Sequence, residues 1–188
     1  VEIMNCTSHG VVCGGLGLYF SGCDIHDNTG QGIRFSGTST LYCYGCIFDS
    51  NSYGIYDVDI TRNQTYNLNN SIFVDNTNDG LRSDATTGSV VVDVVNCILY
   101  GNGGHGLKLQ DAQTETDALL AINRNNAYGN NTSGALLGLT HGKGDVTLTA
   151  DPFINRAGRN FGLNNTAGGG ALLRAKGFPG AFVNGTTT

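Results

Sequence analysis

SIFVDNTNDGL, residues 71–81, decides the fold, because the chain repeats it. Five other segments lie over it: VEIMNCTSHGV from Val1, CDIHDNTGQGI from Cys23, CIFDSNSYGI from Cys46, CILYGNGGHGL from Cys97 and NNAYGNNTSGA from Asn125. The shared pattern is a small residue, an apolar residue two later, Asn five later, then Gly and an aliphatic or small residue. The Asn slot holds Cys6, Asn28, Asn51, Asn76, Asn102 and Asn130, at spacings of 22, 23, 25, 26 and 28 residues. The Gly slot holds Gly10, Gly32, Gly54, Gly80, Gly106 and Gly134. A fixed period of this length is the mark of stacked repeats.

Inside each repeat the apolar period is two, which means strands. Leu41 and Cys43, Tyr66 and Leu68, and Val92 and Val94 alternate ahead of the small residue. Cys23 and Ile25, Cys46 and Phe48, and Cys97 and Leu99 alternate from it. A third strand follows the Gly slot, as at Ile33 and Phe35 or Leu81 and Ser83. Between the first two strands stands Gly22, Gly45, Asn70, Asn96 or Arg124; Gly and Asn accept left-handed angles and suit a sharp bend. Three short strands per repeat, with no helical stretch between, predict one rung of a coil. Rungs stacked about 4.8 Å apart would bury one inner column and align the Asn slots in a ladder. The expectation is an all-β, single-stranded parallel β-helix, with 22–28 residues per rung and six to seven rungs.

Composition narrows the function. The 188 residues carry 29 Gly, no Trp, 13% charged residues and a net charge of −5. An acidic chain makes a poor nucleic-acid partner, and no apolar run approaches the roughly 20 residues of a membrane span. Neither nucleic-acid binding nor membrane insertion is expected.

The rungs over residues 1 to about 140 resemble the right-handed parallel β-helix of the pectin-lyase-like superfamily. Ala150-Asp151-Pro152-Phe153 and Arg159-Asn160-Phe161-Gly162-Leu163 resemble the closing rung of bacterial and phage surface β-helix proteins. The resulting division is rungs over 1–144 and a closing rung with a C-terminal capping segment over 145–188. The chain begins in mid-rung, so other subunits or flanking domains are expected at an uncapped N-terminal end. The resemblance implies an extracellular, cell-surface or virion protein. It serves both non-catalytic shafts and spikes and enzymes that cleave acidic polysaccharides, so fold alone does not choose. Of the signatures of the polygalacturonase-like hydrolases, only Gly104-His105-Gly106 has a counterpart here.

Function on such a scaffold would be written on outward positions. Arg34, Tyr56, Arg82 and Lys108 fall two residues past the Gly slot and would form a stripe suited to acidic glycans. Tyr19, Tyr42 and Tyr44 would form an aromatic patch able to stack on sugar rings. Asp59, Asp84 and Asp111 lie in the connection that lengthens from rung to rung, where paired carboxylates suit glycoside cleavage or Ca²⁺. His26 and Asp49, in an outward column with Met4, Val74, Tyr100 and Tyr128, would pair as a base and its orienting carboxylate. The structural ladder would be Asn28, Asn51, Asn76, Asn102 and Asn130. No resident metal site is expected from the cysteines: Cys43-x-x-Cys46 has no second pair. Cys13, Cys23, Cys43 and Cys46 fall on inward slots, with Cys23 and Cys46 within disulfide range on neighbouring rungs.

Overall fold

The computed structural model describes residues 1–15, 17–37, 39–58, 63–84, 90–109, 119–176 and 178. Three parallel sheets stack rung upon rung into a β-solenoid. Strands are numbered in chain order. The first sheet contains β1 (Glu2–Met4), β4 (Asp24–His26), β7 (Ile47–Asp49), β10 (Ile72–Val74), β13 (Ile98–Tyr100), β16 (Ala127–Gly129) and β18 (Val146–Thr147). The second contains β2 (Val11–Gly14), β5 (Ile33–Ser36), β8 (Ile55–Asp57), β11 (Leu81–Ser83), β14 (His105–Leu109) and β17 (Gly134–Leu137). The third contains β3 (Leu18–Ser21), β6 (Ser39–Tyr44), β9 (Gln64–Asn69), β12 (Val90–Val95) and β15 (Leu119–Arg124). The solenoid is the expected all-β parallel coil.

Two left-handed residues per rung make the corners. Gly22, Gly45, Asn70, Asn96 and Asn125 turn the third sheet into the first, with φ from 49° to 62°. Asn5, Asp27, Ser50, Asp75, Gly101 and Asn130 turn the first toward the second, with φ from 51° to 73°. Short polar side chains and Gly bear this conformation at least cost. The Gly slot meets a different demand. A Cβ on Gly54 would lie 2.4 Å from the Gly80 carbonyl and 2.8 Å from Phe73, so the chain passes too close for a side chain.

Inward side chains stack in columns. Ile25, Phe48, Phe73, Leu99 and Tyr128 are aligned by strand register. Phe48 and Phe73 lie face to face, ring centroids 4.8 Å apart, and both are fully buried.

The amide ladder runs through Asn28, Asn51, Asn76, Asn102 and Asn131. Asn28 Nδ2 donates to Asn51 Oδ1 at 2.9 Å, Asn51 to Asn76 at 3.3 Å, Asn76 to Asn102 at 2.9 Å and Asn102 to Asn131 at 2.9 Å. Each Oδ1 also accepts the backbone N–H of the preceding rung's slot residue. Asn131 here corrects the expected Asn130, which occupies the left-handed corner. The sixth repeat is read one residue early throughout: Asn125, not Arg124, makes the bend, and Asn126 fills the small slot by accepting the Cys97 N–H at 2.8 Å. Doubled Asn at 125–126 and 130–131 satisfies the pattern in two registers. A corner needs the first amide of each pair and a ladder the second.

Asn76→Ala would remove the acceptor of Asn51 N–H and the donor to the Phe48 carbonyl at 3.1 Å. Leaving such groups buried and unpaired is expected to cost about 1–3 kcal/mol, measured by chemical denaturation. Asn78→Ala, on a half-buried turn outside the ladder, should cost less.

The tail does not stay on the solenoid axis. After β18, a hairpin of β19 (Phe153–Asn155) and β20 (Asn160–Leu163), followed by α1 (Gly170–Ala175), folds back along the outer face of the first sheet. A second apolar core forms there, outside the coil, from Ile47, Ile72, Val74, Ile98 and Tyr100 against Phe153, Phe161, Leu163 and Leu173. Tyr100 meets Phe153 edge-on at 6.3 Å, and Phe153 meets Phe161 at 5.2 Å.

Candidate functional site

Parallel register places Met4, His26, Asp49, Val74 and Tyr100 in one column on the outer face of the first sheet. The next member is Gly129; Tyr128, expected there, points into the core, a further consequence of the one-residue shift. The column is not open to solvent at His26 and Asp49, each 4% exposed. Arg159 of the tail covers them. Its guanidinium donates to Asp49 Oδ2 at 2.7 Å and Asp24 Oδ1 at 2.5 Å, and lies 2.9 Å from His26 Nε2. The same His26 nitrogen is 3.0 Å from Glu2 Oε1, and Nδ1 is 2.7 Å from Asp27 Oδ2. Ligand atoms of Glu2, Asp24 and His26 fall within 4.8 Å of one another, a set able to hold a cation. The guanidinium already supplies positive charge at that point. Beside it, Arg156 bonds Asp75 and, at 2.8 Å, Asp151.

The second sheet carries the stripe. Arg34, Tyr56, Arg82 and Lys108 are direct neighbours on successive strands. Beyond Lys108 stands Leu137. Charge on the stripe is partly internal. Arg82 Nε donates to Asp84 Oδ1 at 2.7 Å, Tyr56 O–H donates to Asp84 Oδ2 at 2.7 Å, and the guanidinium sits over the Tyr56 ring at 5.3 Å. Burial, then the bond to Asp84, pushes the Tyr56 hydroxyl up to about 12, which unfits it as a base near neutrality. Asp84 is therefore joined to the stripe at the end of β11. Asp59 and Asp111 lie outside the described residues. Asp57, two residues before Asp59, is fully buried on β8 and accepts the Tyr66 O–H at 2.5 Å.

Sequence reasoning passed over Asp79. Its Oδ1 accepts the His105 backbone N–H at 2.6 Å and lies 3.3 Å from His105 Nδ1, while its Oδ2 is 3.9 Å from Arg82. The available signal was its place directly before Gly80, one rung below the His of Gly104-His105-Gly106.

The third sheet presents the tyrosines. Tyr19 and Tyr42 stack with centroids 4.2 Å apart and planes 2° from parallel; Tyr44 is 6.3 Å from Tyr42. Tyr19 is 71% exposed and Tyr44 42%. Strand register continues one row from Tyr42 to Asn67, Asp93 and Ile122, and the next from Tyr44 to Asn69, Val95 and Arg124. Asp93 Oδ1 is buried there without a hydrogen-bond partner. The face thus offers rings, amides and one unsatisfied acceptor, with little charge. Compared with family models, curated proteins and solved structures, the chain matches none of them.

Proposed function

We propose that the chain is a non-catalytic structural β-solenoid module, a shaft or decoration of a virion or bacterial surface, that touches glycans through the outer face of its third sheet. The surface or virion setting, and kinship with pectin-lyase-like proteins, rest on the resemblance of the rungs and of the tail around Asp151–Phe153 and Arg159–Leu163. One observation carries the non-catalytic reading. Among the described residues, the candidate acid–base groups are held by one another: His26 and Asp49 under Arg159, Asp84 between Tyr56 and Arg82. The tyrosines, by contrast, are open. Tyr19 and Tyr44 are exposed, with ring edges along the sheet suited to hydrogen-bonding and packing on a sugar chain. Acidic glycans would reach Arg34 and Lys108 at either end of the stripe, with Asp84 opposing them in the middle.

A panel of neutral and acidic oligosaccharides, read by both binding and release of reducing ends, tests this. Tyr42→Ala is expected to weaken binding about five- to tenfold, matching loss of about 1–1.4 kcal/mol of stacking, with the solenoid intact by circular dichroism. Cleavage that disappears in Asp84→Asn would overturn the proposal in favour of a polysaccharide hydrolase or lyase.

A further inference from the structure

The rung from Cys46 is one residue short. Gly follows the Asn slot by three residues from Asn51 to Gly54, and by four from Asn28 to Gly32, Asn76 to Gly80 and Asn102 to Gly106. Hydrogen bonds show which residue is missing. In the full rungs, the residue after the slot donates its N–H to the slot carbonyl of the preceding rung: Thr29 to Cys6 at 3.0 Å, Thr77 to Asn51 at 2.8 Å, Gly103 to Asn76 at 2.9 Å and Thr132 to Asn102 at 3.0 Å. The residue after that one pairs with its own counterpart, as Gly30 does with Ser8 and Gly104 with Asn78. Ser52 takes this second role, donating to the Gly30 carbonyl at 2.9 Å and accepting the Asn78 N–H at 2.8 Å. The short rung therefore places no residue between Thr29 and Thr77. The Asn28 carbonyl, which that residue would have bonded, accepts no hydrogen bond among the described residues.

The missing residue leaves a notch of about 440 Å³ at the corner between the first and second sheets. Thr29 and Thr77 lie on either side of the short rung, about 10 Å apart at two rung spacings. Ser50 and Ser52 of that rung, with Asn5 and Asp27, complete the lining. The Thr29 and Thr77 hydroxyls make no hydrogen bond among the described residues. Asp27 engages His26 through Oδ2 at 2.7 Å, and its Oδ1 has no partner among them. Ser52 Oγ accepts from Asn78 Nδ2 at 3.3 Å and keeps its own proton to donate. Asp27 is the only charged residue among the described ones that line the notch. Such a set suits a ligand that both donates and accepts hydrogen bonds and carries no negative charge. We propose that the notch binds one neutral sugar residue. Its hydroxyls donate to the Asn28 carbonyl and to Asp27 Oδ1, and accept from Thr29 and Thr77. A carboxylate-bearing sugar would meet Asp27 with no cation to offset it. The notch lies across the coil from the tyrosines, and the inference does not rest on their reading.

The test titrates the isotope-labelled full chain with D-glucose, D-galactose, D-mannose, N-acetyl-D-glucosamine, D-glucuronate and Ca²⁺ in turn, reading backbone amides by NMR. The expected result is a saturable shift of the Thr29, Ser52 and Thr77 amides with at least one neutral sugar and none with glucuronate. Thr77→Val, which keeps the shape and removes one hydroxyl, should weaken that binding about three- to tenfold, the loss of one hydrogen bond. Inserting one Thr between Asn51 and Ser52 restores the common rung length and gives the Asn28 carbonyl a donor. It should abolish the shifts without lowering the thermal midpoint. Glucuronate binding as well as the neutral sugars, saturation by Ca²⁺ instead of sugar, or sugar binding unchanged in Thr77→Val would each overturn the proposal. Shifts confined to Tyr19, Tyr42 and Tyr44 would overturn it while leaving the tyrosine face standing, and no shift with any sugar would overturn it outright.

Discussion

Arg159→Ala is expected to cost about 3 kcal/mol of stability and to free the tail from the first sheet. The side chain faces two carboxylates, Asp24 and Asp49, whose side chains are only 7% and 5% exposed. Removing one partner of a buried ion pair typically costs about 3–5 kcal/mol, because the remaining charge has lost both water and counter-ion. Arg159 is itself 28% exposed, so water entering the gap holds the loss near the lower end of that range. The released hairpin should become cleavable by protease within residues 150–176, and amides of β4 and β7 should exchange faster. Asp49→Asn in the Arg159→Ala background should recover part of the stability, since it removes an orphaned charge. A variant with wild-type denaturation and a protected tail would show that apolar packing alone seats the hairpin.

Phe73→Ala should destabilise by about 3–5 kcal/mol, the range for removing a buried aromatic ring and leaving a cavity. Phe73 is fully buried, stacked on Phe48 at 4.8 Å and in van der Waals range of the Gly54 and Gly80 backbone. Each rung of a solenoid leans on its neighbours, so the lost protection should centre on β7, β10 and β13. Hydrogen exchange resolved by segment checks both magnitude and place. Uniform loss of protection across all rungs would indicate one cooperative unit instead.

The coil was legible because its signals are local and repeated. Period-two alternation as at Tyr66 and Leu68, Asn at near-fixed intervals and Gly before each third strand all name strands, stacks and corners. The sixth repeat slipped by one because Asn125-Asn126 and Asn130-Asn131 each give two equivalent amides, and only backbone φ separates them. The tail was less legible. Nothing near Arg159 announces Asp24 or Asp49, 135 and 110 residues earlier. The repeat sets His26 beside Asp49, as the strand register shows, but an outward position on a strand is not by itself a wet one. Ile47, Ile72 and Ile98, outward on that same face, held the missing clue, since consecutive exposed isoleucines call for a cover.

The fold-back of the tail also sets a gauge on the solenoid. Excising residues 72–97 would join Ser71 to Ile98 at matching points of the coil, and the inner columns and Asn ladder would close again without a gap. The two arginines would register the change. Asp75 would be gone, and the corner brought under Arg156 would be that of Ser50, which offers no carboxylate. Arg159, carried one step toward the start of the chain, would leave the Asp24–Asp49 pair behind. Stacking alone is indifferent to how many coils there are; the pegged tail measures them, so gain or loss of a whole repeat is penalised at the flank even where the interior accepts it.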